Sequence, residues 1–136
     1  MDPEPSQALS VNQSIELITQ KLEAANLHYG HGAIDAQSEA LWIVSKQLGL
    51  SPADALDHLD QILTDEQHQQ ALSVADERIT TRKPLAYILG EAWLMGVPFF
   101  CSEQSIVPRS WIAELIVDGS LEPWLPADGK VLDLCT

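Results

Sequence analysis

Few residues of this sequence have the types and spacing that catalysis needs, and the best candidates stand at its end. Val131 to Leu134 is an apolar run that contains Asp133, and Cys135 and Thr136 follow it. In cofactor-binding α/β domains, a buried strand leads into a polar loop whose backbone approaches the ligand. Any buried strand could show this short run, so taken alone it is a weak indication of a cofactor site.

The other reactive side chains are isolated from one another. His28 and His31 share one turn, but without a third ligand they are more typical of polar turn residues than of a metal site. Ser110 lacks the Gly-x-Ser-x-Gly setting of a hydrolase nucleophile, so we predict that it caps a helix. Cys101 and Cys135 have no basic neighbour that would activate a thiol and no metal-ligand spacing. The sequence therefore predicts no catalytic residue and no metal ligand.

The chain is strongly acidic. Its 136 residues include 20 Asp and Glu against seven Lys and Arg, a net charge of −13, and 46% of them are hydrophobic. This length and hydrophobic fraction predict a folded domain rather than a disordered chain. Nucleic-acid binding needs cations that neutralise phosphates, so we expect no direct nucleic-acid contact. Charge alone favours a role in solubility, and leaves open an acidic face that attracts a basic protein.

The sequence also predicts a cytoplasmic protein with no membrane partner. No apolar run approaches the roughly 20 residues of a membrane span. The start, Met1-Asp-Pro-Glu-Pro, is unlike the basic start of a signal peptide. The two cysteines form no close pair, which fits free thiols. The oligomeric state stays open at this stage.

Start and stop signals divide the first part of the chain into short helices. Residues 1–9 lack such signals and are expected to form a flexible tail. Four N-caps are predicted, at Ser10, Asp35, Ser51 and Thr64. The third helix is expected to end near Leu63, and a small fifth helix is expected at 85–89. Together these helices predict a compact bundle over residues 10–90.

The helix after Thr64 is predicted to have one buried face. Leu72, Ala75 and Ile79 recur at helical spacing and are predicted to face the core. Arg78 and Arg82 are then predicted to lie in solvent.

From residue 91 onward the pattern changes to strands. Apolar runs on either side of Gly96 and Val97 predict a β-hairpin with a type II′ turn, within a linker over 91–110. Further short strands are predicted at 105–107 and 131–134. The aromatic side chains of the hairpin are expected to pack in the core; they are Trp93, Phe99 and Phe100.

Three motifs in this region carry a resemblance to a known family. They are Arg82-x-Pro-Leu-x-Tyr-Ile-x-Gly-Glu91, Gly96-x-Pro-Phe99 and Val107-Pro-Arg-Ser110. In this order they resemble the linker of the HemK/Prm family, whose members are S-adenosylmethionine-dependent methyltransferases of protein glutamine side chains. The resemblance is close over residues 75–136 and holds only in outline over the helices. Within the family it is closest to the branch that methylates large-subunit ribosomal protein three.

Two departures from that branch affect the expected substrate contacts. Trp111 stands where the branch usually has proline, and Cys101-Ser-Glu-Gln104 replaces its usual valine-aspartate-glutamate-arginine. Neither falls on the cofactor loop.

The resemblance implies roles for the residues at the end of the chain. Asp133, Cys135 and Thr136 match the start of the family's cofactor loop and are the expected cofactor-binding residues, with the glycines of that loop expected after Thr136. The family's catalytic Asn-Pro-Pro-Tyr motif has no counterpart in the 136 residues. We therefore expect the cofactor, S-adenosylmethionine, to bind the complete enzyme and not this fragment, which should be inactive.

The expected fold is mainly α: a helical bundle, a linker hairpin, and from 111 to 136 the start of a truncated Rossmann-like methyltransferase domain. The expected function is the N-terminal, substrate-recognising part of a methyltransferase that modifies a glutamine of a large-subunit ribosomal protein. Two alternatives remain. One is the same chemistry on a peptide-chain release factor, and the other is a non-catalytic helical adaptor for a basic protein.

Overall fold

The computed structural model describes residues 8–134, and Cys135, Thr136 and most of the predicted tail lie outside this range. Within it the fold is mainly α, as predicted, with one antiparallel hairpin. The α-helices are α1 (Val11–Ala24), α2 (Ala36–Leu48), α3 (Pro52–Ala55), α4 (Asp65–Thr81), α5 (Leu85–Leu89) and α6 (Trp111–Val117). The strands are β1 (Glu91–Leu94) and β2 (Val97–Phe100). Short 3₁₀ turns cover Leu56–His58 and Glu122–Trp124.

The helix starts follow from local chemistry, and the predicted caps are confirmed. At α1 the Gln13 N–H donates to Ser10 Oγ at 3.2 Å, and the Ser10 N–H donates to Gln13 Oε1 at 2.9 Å. The same reciprocal pair joins Thr64 and Gln67 at the start of α4. Each pair satisfies two backbone polar groups that a helix terminus would otherwise leave free.

Helix α2 also begins as predicted. Its cap, Asp35, accepts hydrogen bonds from both the hydroxyl and the N–H of Ser38, and these bonds lower the pKa of Asp35. The helix ends at Gly49, whose φ of 69° places it in the left-handed region that favours glycine.

The third helix is shorter than predicted. It is capped by Ser51 and ends at Ala55, and the chain then runs irregularly towards Leu63. The reason is non-local: the carbonyls of Leu59 and Gln61 accept hydrogen bonds from the first N–H groups of α1. Those N–H groups have no partner inside α1, so the segment stabilises α1 instead of continuing a helix.

One hydrophobic core joins the bundle to the start of the hairpin region. Helices α1, α2 and α4 pack together, and α5 adds Leu85 and Ala86. Further along the chain Ala92, Cys101 and Val107 are buried against the same core. The largest fully buried apolar side chains of the helices are Val11, Ile18, Leu22, Ile43, Val44 and Leu85.

The predicted hairpin is present, with a different turn. Strands β1 and β2 pair from Glu91 opposite Phe100 to Leu94 opposite Val97. The loop is therefore Met95–Gly96, and both residues have positive φ, 49° and 77°. Positive φ at both central positions is a type I′ turn, not the predicted type II′.

The segments after the hairpin contain less regular structure than predicted. Residues 105–107 form no strand; instead the Tyr87 hydroxyl donates to the Ser105 carbonyl at 2.8 Å. Ser110 caps α6 as expected, through its hydroxyl and the N–H of Ile112. Residues 131–134 also form no strand, because a strand needs a hydrogen-bonded neighbour and no described residue pairs with them. In the part of the chain that is described, no helix is long and apolar enough to cross a membrane.

We expect amide hydrogen exchange to be slowest in α1, α2 and α4 and fastest in α6 and residues 131–134. The first three helices share the core, whereas no residue of α6 is buried. Local opening costs least where few apolar contacts are lost. The check is exchange followed by mass spectrometry on the 136-residue chain. Equal protection across both regions would contradict the expectation and would indicate that something covers α6.

Candidate functional site

One concave feature is a cleft of about 810 Å³, here called the main cleft. One wall is the loop between α1 and α2, around Gly32. The rest of the lining comes from Trp93 and Leu94 of β1 and from the segment that runs from Pro108 into the start of α6. Three segments that are distant in sequence thus form one site.

The main cleft has apolar walls with one charge of each sign. Ile34 and Trp111 are 85% and 83% exposed, so their side chains offer apolar surface to a ligand. Arg109 and Glu114 add a cation and a carboxylate to the lining. An exposed tryptophan beside a few polar groups is typical of sites that bind protein segments. Trp111 is also one of the positions where the sequence departs from the family branch that it resembles.

Arg109 lies where the main cleft meets a smaller cavity of about 120 Å³, and it lines both. For Arg109 the sequence favours a structural ion pair over a place beside the active site. Within residues 8–134 Arg109 makes no ion pair. Its guanidinium is therefore available to a ligand of the cleft.

A buried ion pair that the sequence did not indicate joins α4 to α2. Arg78 and Glu39 have side chains only 3% and 5% exposed. Arg78 Nε donates to Glu39 Oε2 at 2.9 Å, and its Nη2 donates to Oε1 at 3.1 Å, a two-pronged geometry. Burial raises the pKa of Glu39, and the hydrogen bonds and charge of Arg78 oppose that rise.

The prediction that Arg78 lies in solvent is therefore wrong. The fully buried residues of α4 are Ala71 and Ala75, and Arg78 is buried with them. Positions 71, 75 and 78 follow the helical period as well as 72, 75 and 79 do, so the pattern fits two adjacent faces. The sequence did contain a signal for the observed face. Ala71 and Ala75 lie on the same face as Arg78, and small residues let another helix approach that face closely.

The aromatic residues of the hairpin divide between core and surface. Trp93 packs against the core as predicted. Phe99 and Phe100 are 43% and 84% exposed, so the prediction that they pack in the core is wrong. They lie on β2, the edge strand of a two-stranded sheet, and no described element covers that strand.

Exposed apolar side chains continue from β2 to the end of the described chain. They form the C-terminal apolar surface, whose most exposed members are Phe100, Ile106, Trp111, Trp124, Val131, Leu132 and Leu134. So much exposed apolar area is unusual for a monomeric protein and is typical of a surface that another unit covers.

The chain carries a large net negative charge, −13. Among residues 8–134, four of the seven cationic side chains lie in ion pairs with carboxylates of the same range: Lys21, Lys46, Arg78 and Lys83. These pairs cancel positive charge locally, so the excess of carboxylates sets the sign of the field at the surface. A partner with a basic surface would be attracted.

The predicted cofactor residues do not form a site in the described structure. Asp133 is exposed, and it lies in a segment without a strand. Cys135 and Thr136 lie outside the described residues. A cofactor site of the Rossmann type needs a buried strand and a glycine loop, so the described residues alone do not fit S-adenosylmethionine. The role of all three residues stays a prediction.

His28 and His31 lie in the α1–α2 region, and the His28 carbonyl accepts a hydrogen bond from Arg78. In the described part of the chain, no group of three or more His, Cys, Asp or Glu is placed to hold a metal ion. Burial raises the pKa of the Cys101 thiol, so a smaller fraction of it is in the reactive thiolate form.

Comparison with known proteins gives related sequences. The chain is 41% identical to the ribosomal protein uL3 glutamine methyltransferase of Bordetella pertussis over 126 residues, which is 90% of the chain. It is 37% identical over its whole length to the protein of the same name from Burkholderia pseudomallei, and 35% identical to that of Neisseria gonorrhoeae over 93% of the chain. The chain spans 42–45% of the length of these three relatives.

Residues 16–90 match the PrmC N-terminal domain. The match begins inside α1 and runs to the end of α5, and it includes the α1–α2 loop that lines the main cleft. Because it takes in more than half of the sequence, this chain belongs to the PrmC N-terminal domain family.

Proposed function

We propose that this chain is the N-terminal part of a methyltransferase that modifies a glutamine side chain of ribosomal protein uL3. The observation that carries the proposal is the similarity to proteins of that name over at least 90% of the chain in three bacteria. S-adenosylmethionine would supply the methyl group. It would bind in the part of the enzyme that lies beyond these residues, with Asp133, Cys135 and Thr136 beginning its loop.

Within such an enzyme the role of this part is substrate recognition. A glutamine amide is common to many proteins, so only contacts beyond the amide can select one of them. Binding energy from those contacts can also orient the amide at the reacting centre. The main cleft offers apolar walls and two charges for this purpose. A basic, RNA-binding target would be attracted by a chain of net charge −13.

The C-terminal apolar surface fits the same proposal. A catalytic domain that packs on it would bury Phe100 and Trp124 and would give residues 131–134 strand neighbours. A free adaptor would have to leave this apolar surface in water.

The test is a methyl-transfer assay with the complete protein that contains this chain. Purified uL3 and radiolabelled S-adenosylmethionine are the substrates, and mass spectrometry locates the methyl group. We expect methylation of one glutamine of uL3 and little or none of a peptide-chain release factor assayed in parallel. Methylation of the release factor instead would assign the chain to the other substrate. Binding of uL3 without methyl transfer would support the adaptor.

A further inference from the structure

The loop between α1 and α2, residues 25–35, forms one wall of the main cleft but has little structure of its own. A single backbone hydrogen bond closes it, from the Gly30 N–H to the Ala33 carbonyl at 2.8 Å. Gly30 and Gly32 have φ of 116° and 98°, and glycine adopts such angles without strain in the unfolded chain as well. Contacts from outside must therefore fix the position of this wall.

Burial of Leu27 and Ala33, which are 8% and 7% exposed, anchors part of the loop, and two arginines of α4 bind its backbone directly. Arg78 Nη2 donates to the His28 carbonyl at 2.8 Å, and Arg82 Nη1 donates to the Asn26 carbonyl at 3.1 Å. The two arginines are four residues apart and lie one turn from each other on the helix. They bind carbonyls two residues apart in the loop.

Glu39 of α2 fixes the orientation of Arg78. It occupies Nε and Nη2 of the guanidinium, and the rigid fork then directs Nη2 at the loop. A lysine in the same place is a flexible point charge and could not hold both partners in this geometry. A buried ion pair is weak evidence for stability, because apolar side chains of similar volume often serve as well. An apolar pair could not reproduce the hydrogen bond that Arg78 donates to the loop.

We infer that Arg78 is a positioning residue: held by Glu39 and assisted by Arg82, it keeps the α1–α2 loop in place as a wall of the main cleft and so sets the affinity for the protein substrate. The inference has two parts, the position of the loop and the affinity for the substrate, and only the second rests on the proposed function. The first part concerns the loop and can be measured without any substrate.

The experiment compares Arg78→Lys with Asp76→Asn. Both changes lie on α4, but Asp76 pairs with Lys21 at the surface, where its side chain is 58% exposed, and touches no part of the cleft. In the 136-residue chain we expect Arg78→Lys to accelerate amide exchange of residues 29–34 by about tenfold or more, since a charge-assisted hydrogen bond is lost. Exchange in the middle of α1 and α2 should change far less. Asp76→Asn should leave the loop as in the wild type.

In the complete enzyme the same substitution should raise KM for the protein substrate by about tenfold, with kcat at saturating substrate and cofactor affinity nearly unchanged. A merely structural role would lower the amount of active enzyme, and hence kcat, without this split. If Arg78→Lys does not fold, Arg82→Gln provides the same test at an exposed position, with a smaller effect of the same kind.

Unchanged loop exchange in the variant that folds would overturn the inference. Faster exchange with unchanged KM would overturn its second part, because the loop would then have no bearing on the substrate. An inactive wild-type enzyme would count against the proposed function, and the exchange data would still decide whether Arg78 holds the loop.

Discussion

Replacing Glu39 with alanine should destabilise the 136-residue chain by about 3–5 kcal/mol, because it leaves the Arg78 cation buried without a partner. The Arg78 side chain is 3% exposed, so water cannot take the place of the lost carboxylate without opening the core. Marginally stable domains have about 5–15 kcal/mol in total, so the change should remove a large share of the stability. Thermal or urea unfolding measures it directly.

The matched control is Asp76→Asn, which breaks the exposed pair with Lys21 and should cost no more than about 1 kcal/mol. A double change, Glu39→Met with Arg78→Met, should lie much closer to the wild type than Glu39→Ala does, because no buried charge remains. If Glu39→Ala costs no more than Asp76→Asn, the ion pair is not buried as described.

The features that the sequence predicted well are those that depend on neighbouring residues. The caps at Ser10, Asp35 and Thr64 each use a side chain three residues from its partner, so the sequence contains the whole interaction. The end of α2 at Gly49 is equally local. The turn at Met95 shows the limit of this reasoning, since register decides which pair of residues forms the loop, and register depends on the packing of both strands.

The features that the sequence did not predict depend on contacts across the fold. The third helix ends early because Leu59 and Gln61 bond to the start of α1, some fifty residues away. Arg78 is buried because Glu39 of another helix meets it, and charge alone suggested a solvated side chain. The main cleft likewise combines Gly32, Trp93 and Arg109, which no spacing rule places together. For Asp133, the family motif gives an expectation, and the described structure provides no partner strand to test it.

The last expected result concerns the helical bundle as a whole. Deleting residues 1–80 from the complete enzyme should spare cofactor binding but lower kcat/KM for the ribosomal protein by about a hundredfold, since the remote contacts that orient the amide are lost. The bundle supplies much of the acidic charge and one wall of the main cleft.

The deletion must be controlled for folding, because Leu85, Cys101 and Val107 pack on the core that it removes. Calorimetric binding of S-adenosylmethionine with unchanged affinity would show that the remaining domain is intact. The intact enzyme should also bind its target more weakly as salt rises, because ions screen the attraction between an acidic chain and a basic partner. A truncated enzyme that binds cofactor and still methylates the ribosomal protein as efficiently as the intact one would make the bundle a scaffold and refute its role in recognition.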